Sequence, residues 1–229
     1  MSKIFLGMAA IAGTILIYLL AKRIHRILPV SLLLPVVTAT AAIVILLLVF
    51  QIPYEVYMEG GECINKLLGP AIVALAYPLY ENRNVLKKFI VPIVSGTLVG
   101  AVIGVSTGVL LTKWAGFADS IIYSITPKSV TTPIAMEIAD SIGGIMPLAA
   151  TFVMIAGVSG GVVAPFLFKL FKIDHDISLG IGYGSAAHAI GTASAMSVNP
   201  LTGSISSVAM SLSAIIVSVI TPPLLSILL

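Results

Sequence analysis

Residues 124–144 of this chain read SITPKSVTTPIAMEIADSIGG and carry a lysine, several hydroxyls and two carboxylates. Pro127 and Pro133 interrupt the segment. A proline disfavours helix at the residue before it, but is well tolerated in the first turn of a helix. We therefore expect a short helix from about residue 119 to end near Pro127. A second should begin at Pro133, with Thr132 as its N-cap.

The predicted break has the chemistry of an anion site. The first N–H groups of the second helix have no intrahelical acceptor, and the helix dipole adds partial positive charge there. Lysine and hydroxyl side chains would add donors, which makes the candidate substrate-binding residues Lys128, Ser129, Thr131 and Thr132. Broken helices inside a membrane bind carboxylates in this way. The competing interpretation, an extracellular loop with a solvated lysine, is disfavoured by apolar residues such as Val130 and Ile138.

Two acidic residues, Glu137 and Asp140, follow the break. They are three residues apart and so share one face of the second helix. They could pair with Lys128, bind a coupling cation or carry a proton. They could equally lie at the outer water interface with no specific role.

A second candidate site is the stretch 182–195, GYGSAAHAIGTASA. On a continuous helix one face would hold Gly184, His188, Gly191, Thr192 and Ala195. His188 and Thr192 are candidate substrate-binding residues, and Gly191 is a candidate helix break. A histidine pKa near 6.5 suits proton coupling. The alternative is a buried histidine hydrogen-bonded to a carbonyl.

A row of glycines precedes both sites. They recur at every fourth position, at Gly96, Gly100, Gly104 and Gly108. Small residues at this spacing let membrane helices approach closely. This row predicts tight helix packing, within one subunit or between subunits.

The elements that position these residues must lie in a bilayer. The 229 residues are 59% hydrophobic and 9% charged, whereas soluble domains carry about 25% charge. At about 20 residues per crossing, the length fits roughly seven or eight membrane segments, all α-helical. The apolar stretches fall at 4–21, 29–50, 64–81, 89–112, 145–168, 177–198 and 203–229.

Loop charges predict the orientation. Basic clusters at 22–26, 82–88 and 169–172 should be cytoplasmic under the positive-inside rule. Residues 113–143 would then begin and end on the outer side, as a hairpin; a full crossing would break the rule for one loop.

We expect a single transmembrane domain built as an inverted-repeat transporter. Its parts would be an N-terminal anchor, a first repeat, a broken segment and a second repeat, at residues 1–28, 29–112, 113–143 and 144–229.

Several functions are disfavoured. The net charge of +3 comes from scattered loop residues, which is not a nucleic-acid footprint. The single cysteine, Cys63, excludes an intrachain disulfide. The histidines are not at metal-ligand spacing, so we expect neither a metal nor a cofactor. No nucleotide-binding or hydrolase motif is present, so we expect no enzyme.

PKSVTTPIAMEIADSIGG at 127–144 and SAAHAIGTASAM at 185–196 resemble the signature of the LrgB/CidB family, over essentially the whole chain. The resemblance implies a multi-pass inner-membrane protein, holin- or antiholin-like, linked to control of murein hydrolase export and lysis. It also implies a small LrgA/CidA-type membrane partner. Plant relatives resemble glycolate and glycerate carriers, and some bacterial relatives are implicated in pyruvate uptake.

We favour a carrier of small monocarboxylates such as pyruvate, glycolate or glycerate, coupled to H⁺ or Na⁺ through Glu137, Asp140 or His188. The chain would work as a homo-oligomer, most simply a dimer. The alternative is a holin- or antiholin-like regulator of murein hydrolases, for which the glycine row would serve oligomerisation. A second alternative is a cation/proton antiporter, for which acidic core residues should dominate.

Overall fold

The computed structural model describes residues 2–28, 35–67, 70, 73–74 and 76–229. Within these ranges the regular structure is helical, without a strand, which confirms the all-α prediction. The helices are α1 (Ser2–Ile27), α2 (Pro35–Val49), α3 (Tyr54–Asn65), α4 (Ala76–Glu81), α5 (Arg83–Lys88), α6 (Ile90–Trp114), α7 (Asp119–Ile125), α8 (Thr132–Ser141), α9 (Met146–Leu170), α10 (Asp176–Val198) and α11 (Pro200–Leu228).

Four helices of the described residues are long and apolar enough to cross a membrane: Gly7–Ile27 of α1, and the whole of α6, α9 and α11. These helices indicate a membrane protein and are consistent with the predicted multi-pass arrangement. The count of seven or eight segments stays a prediction. Two of the expected stretches, 29–50 and 64–81, fall partly on residues outside the described ranges.

The chain divides into two compact units, residues 1–71 and 72–229. In the first unit α1 packs against both α2 and α3. Thr14 of α1 shares a hydrogen bond of 2.9 Å with the Tyr57 hydroxyl of α3. Gly60 of α3 lies against the Gly7 carbonyl of α1, where a Cβ has no room, so the glycine at position 60 lets α1 and α3 approach closely.

Two long helices of the second unit, α6 and α11, run parallel. Ile93 near the start of α6 belongs to one buried cluster with Ile205 near the start of α11. At the other end the Lys113 ammonium donates to the Leu228 carbonyl at 2.8 Å. The third long helix, α9, runs the opposite way. Phe168 near its end packs edge-on against Tyr183 in the first half of α10, and the same part of α10 lies against Gly96 near the start of α6, through Ile181.

Residues 119–145 form a helical hairpin, here called the first hairpin. The Ile145 N–H donates to the Ser124 hydroxyl at 2.8 Å, and Gly144 lies against the backbone of residues 123–124. A straight helix would separate positions 124 and 145 by about 30 Å. The segment therefore turns back on itself, as the loop charges predict, rather than continuing in one direction.

Residues 176–199 form the second hairpin. The helix α10 is interrupted at Ala187 (φ −123°, ψ 15°) and His188 (φ 40°, ψ −129°). Its two ends meet, because the Asn199 side-chain amide donates to the Asp176 carboxylate at 2.7 Å. Thr202 donates to the same carboxylate oxygen at 3.0 Å. The prediction of a continuous helix with one shared face was therefore wrong.

The second break also lies elsewhere than predicted. Gly191 is helical, and a Cβ there would strike the Tyr183 carbonyl and the Ala187 side chain. A glycine is needed here because the two arms of the second hairpin approach closely at this point.

Candidate functional site

The tip of the first hairpin, residues 126–131, follows from the two prolines. The helix α7 ends with Thr126 as its C-cap, and α8 begins with Pro133 in its first turn. The N-cap is Thr131, one residue before the predicted Thr132, because Thr131 is the last residue with extended backbone angles (φ −68°, ψ 149°). Thr132 is already helical and half-buried.

Lys128 lies in this tip, half-buried, and its ammonium donates to the Gly104 carbonyl at 2.6 Å. Gly104 is near the middle of α6. One turn later, a Cβ on Gly108 would lie 2.7 Å from the Lys128 Nζ. Within the described ranges no carboxylate forms an ion pair with this ammonium, and its hydrogen-bond partner is the Gly104 carbonyl.

The glycine row of α6 receives both hairpins. Gly96 faces Ile181 and Gly100 faces Ser185, both in the second hairpin. Further along, Gly104 and Gly108 face Ser129 and Lys128 of the first hairpin. The row therefore packs helix against hairpin within one chain. The spacing of the glycines predicts that another element packs closely against α6, but it does not predict that this element is a hairpin of the same chain.

Two hydroxyls of the first tip are buried and have no partner. Ser129 and Thr131 are each 7% exposed, and neither side-chain oxygen makes a hydrogen bond with the described residues. Thr131 occupies the N-cap position of α8, yet its side chain caps nothing. Buried polar atoms nearly always have partners, so these two donors are free to bind something else.

The tip of the second hairpin is held by α9. His188 is 4% exposed, and its Nε2 lies 3.0 Å from the Val153 carbonyl. Gly157 and Gly160 of α9 face His188 and Ala187, and a Cβ at either position would collide with them. Of the two predicted roles for His188, the structure has the buried histidine bound to a carbonyl.

Thr192 and Gly191 lie away from this break. The Thr192 hydroxyl is paired with the Ser206 hydroxyl at 2.9 Å, on α11. Thr192 therefore links the second hairpin to α11.

A cavity of about 580 Å³ brings the two tips together. Ile125 and Lys128 line it from the first hairpin, and Ala186 and Ala187 from the second. One face of α9, including Phe152, forms most of the remaining wall. The wall is mostly apolar, and Lys128 is its one ionisable residue in the described part of the chain. Sequence reasoning missed Ala186, Ala187 and the α9 face, since small apolar residues carry no chemical signal.

Glu137 and Asp140 do not join this cavity. Both are exposed on α8. Glu137 lines a different cavity, of about 530 Å³, together with Ile134 of its own helix and Ser211 of α11. Of the roles left open for these two residues, an ion pair with Lys128 is not formed, since both are exposed and the ammonium donates to the Gly104 carbonyl. Within the described ranges, no cluster of three or more His, Cys, Asp or Glu side chains is placed to hold a metal ion.

Comparison with known proteins places these features in a family. The model of the LrgB-like family matches residues 14–227. The chain is 41% identical to the uncharacterized protein YxaC of Bacillus subtilis, over 97% of this chain and 96% of that protein. It is 34% identical to the holin-like protein CidB of Staphylococcus aureus, over 93% of each.

A second Bacillus subtilis protein, the uncharacterized YwbG, is 39% identical over 97% of this chain and 99% of its own length. No solved structure matches the chain. The family model and these relatives span nearly all of the sequence, and both hairpins fall inside the matched region. The chain belongs to the LrgB-like family.

Proposed function

We propose that this protein is a membrane carrier of small monocarboxylates, of the pyruvate, glycolate and glycerate class. The observation that carries the proposal is Lys128. Its ammonium lines a largely apolar cavity between two hairpin tips, with a backbone carbonyl as its direct partner. A charge in such a place is expensive unless it is paired, and a substrate carboxylate would pair it.

The rest of the proposed site is neutral. The Ser129 and Thr131 hydroxyls and the first N–H groups of α8 would donate to the carboxylate, as helix N-termini do for anions. Thr132 would add its hydroxyl beside them. His188 would act indirectly, by holding the second tip against α9 through the Val153 carbonyl.

The order of elements supports alternating access. Within residues 90–199, a long helix followed by a hairpin occurs twice, first α6 with the first hairpin and then α9 with the second. Because α6 and α9 run in opposite directions, we propose inverted repeats at 90–145 and 146–199, in place of 29–112 and 144–229. Sites where such repeats meet serve secondary transporters as substrate sites.

The second candidate function is a holin- or antiholin-like regulator of murein hydrolases and lysis. The name of the Staphylococcus aureus relative, holin-like protein CidB, supports it, and the comparisons favour it over a carrier of any particular substrate. We retain the expected small LrgA/CidA-type partner, homodimer and inner-membrane location under both candidates. A cation/proton antiporter is less well supported, since Glu137 and Asp140 are exposed.

Uptake into proteoliposomes separates the candidates. A carrier takes up radiolabelled pyruvate or glycolate saturably and retains a trapped dye of larger size; a lesion-forming protein releases both without saturation. Lys128→Ala should lower carrier uptake about 10- to 100-fold, the effect of losing one charged hydrogen bond. Lys169→Ala, which removes an exposed lysine of α9, is the matched control. Wild-type uptake in Lys128→Ala, or dye release equal to substrate release, contradicts the carrier.

A further inference from the structure

The cavity between the two hairpin tips is larger than the acids so far proposed to bind in it. Its volume is about 580 Å³, and cavities of about 300–1,000 Å³ hold drug-sized ligands. Pyruvate, glycolate and glycerate are much smaller than that. An acid of this size, with its carboxylate at Lys128, would leave most of the cavity unfilled. The extent and the wall of the unfilled part indicate what else a substrate can carry.

The cavity continues past the hairpin tips along α9. The tip of the second hairpin meets α9 at Gly160, where a Cβ would lie 2.7 Å from the Ala187 side chain. The lining of the cavity extends from there to Leu167 and Phe168. The step from position 160 to position 167 spans about 10 Å of helix. The cavity therefore has room for a chain of several carbons beyond the carboxylate.

The wall of this part is apolar. It is formed by Val163, Ala164, Leu167 and Phe168 of α9, together with Gly182 of the second hairpin. Val163 and Leu167 are also exposed on the surface of α9, a helix long and apolar enough to cross a membrane, so this side of the cavity borders lipid. Moving a methylene group from water into apolar surroundings is favourable. An aliphatic tail is therefore stabilised by the wall and by lipid alike.

A polar group on the tail has no such match. Within the described ranges, Ser159 carries the one hydroxyl that lines the cavity, and it donates its proton to the Ile155 carbonyl at 2.7 Å. A tail hydroxyl would lose hydrogen bonds to water without a side-chain donor to replace them, which costs free energy. A second carboxylate would cost more, since Lys128 is the one ionisable residue of this wall in the described part of the chain.

We propose that the preferred substrates of this cavity are monocarboxylates with an aliphatic tail, of about four to six carbons, rather than hydroxylated acids or dicarboxylates. This inference rests on the proposed function, because Lys128 must hold the carboxylate. The tail then lies along α9, from Gly160 towards Phe168. The single ammonium selects one carboxylate, and the apolar wall beyond it selects the tail.

Isothermal titration calorimetry of the purified full-length protein measures the contribution of the tail. Pyruvate, 2-oxobutyrate, 2-oxovalerate and 2-oxohexanoate share one head group, and each is longer than the last by one methylene. Burial of a methylene predicts a Kd that falls about three- to fourfold at each step. 2-Oxohexanoate should therefore bind roughly 30- to 60-fold more tightly than pyruvate. Hexanoate should bind about tenfold more tightly than 6-hydroxyhexanoate, whose tail hydroxyl finds no partner.

Two phenylalanine variants of α9 locate the tail. Ala164→Phe fills the cavity beyond the tips and should bring the Kd of 2-oxohexanoate to within about threefold of that of pyruvate. Val162→Phe is the matched control, because it places the same ring on an exposed residue outside the lining of the cavity, and it should keep the full gain along the series. Lys128→Ala should lose the binding of every acid, which separates binding in the cavity from partition of the tails into detergent.

The outcomes distinguish this inference from the proposed function. If pyruvate binds but Kd does not fall along the series, or if hexanoate and 6-hydroxyhexanoate bind equally, the preference for an aliphatic tail is overturned and the carboxylate site is not. If none of the acids binds, both are overturned. A full gain in a folded Ala164→Phe variant would also overturn the inference, because the tail would then lie elsewhere. The wild-type series decides the matter alone if that variant does not fold.

Discussion

At the scale of single residues, His188 combines a buried side chain with a backbone that L-residues rarely adopt. Its φ of 40° lies in the left-handed region, where a Cβ is strained. The surroundings hold it there: the imidazole meets the Val153 carbonyl at 3.0 Å, and Gly157 leaves room for the ring. The contact with α9 offsets the strain and so keeps α10 broken.

Substituting His188 separates the strain from the hydrogen bond. Both His188→Ala and His188→Gly lose the bond to α9, at a cost of about 1–3 kcal/mol. Only the glycine variant also relieves the strain, so it should be the more stable of the two by about 1 kcal/mol. In an ordinary helix this order is reversed. Thermal unfolding of the two purified variants measures the difference, and an alanine variant that is the more stable would argue against a strained tip.

At the scale of elements, glycines set how closely the hairpins approach the long helices. Gly184 in the first arm of the second hairpin lies against the backbone of Ser206 on α11, where a Cβ has no room. The contact between α10 and α11 is the most extensive in the second unit. The close approach of α10 to α11 depends on the glycine at position 184.

Gly184→Ala should therefore destabilise the protein by about 1–3 kcal/mol, the usual cost of overpacking. Gly13→Ala is the matched control, because Gly13 lies in α1 with nothing within 4 Å of the added Cβ. That change should be neutral or stabilising by up to about 1 kcal/mol through helix propensity. Equal melting temperatures for the two variants would show that the α10–α11 contact tolerates a Cβ.

The two breaks differ in how far the sequence predicts them. Pro127 and Pro133 mark the first break locally. The helix before the break ends, and the helix after it begins, within a residue or two of the predicted positions. The second break has no proline and no glycine at its turning residues, Ala187 and His188. It depends on the packing of α9 against the tip, which is a tertiary contact that no local pattern encodes.

At the scale of the whole molecule, the second unit pairs two hairpins that enter from opposite ends of its long helices. The first hairpin begins where α6 ends and leads into the start of α9. The second begins where α9 ends and leads into the start of α11. The hydrophobic periodicity of the sequence identifies the long helices. Whether the two hairpin tips meet depends on the directions in which the long helices run, and composition does not specify these directions.

Labelling in cells tests this arrangement. In a Cys63→Ser background, Asp119→Cys places a thiol at the base of the first hairpin, and Asp174→Cys places one just before the second. The basic cluster at 169–172 predicts a cytoplasmic base for the second hairpin. An impermeant thiol reagent should therefore modify position 119 in intact cells and position 174 only after permeabilisation. Modification of both positions from the same side would contradict opposed hairpins.

The most direct test of the central claim, a carboxylate site at Lys128, is equilibrium binding of pyruvate to the purified protein, followed by its effect on Tm. A ligand that binds only the native state stabilises it by RT ln(1 + [L]/Kd), so Tm rises with ligand concentration. We predict a rise in Tm that grows with pyruvate concentration for the wild-type protein and for Lys169→Ala, and no rise for Lys128→Ala, with all three proteins folded before pyruvate is added. An equal rise in Lys128→Ala, or no rise with pyruvate, glycolate or glycerate in the wild type, would contradict the account.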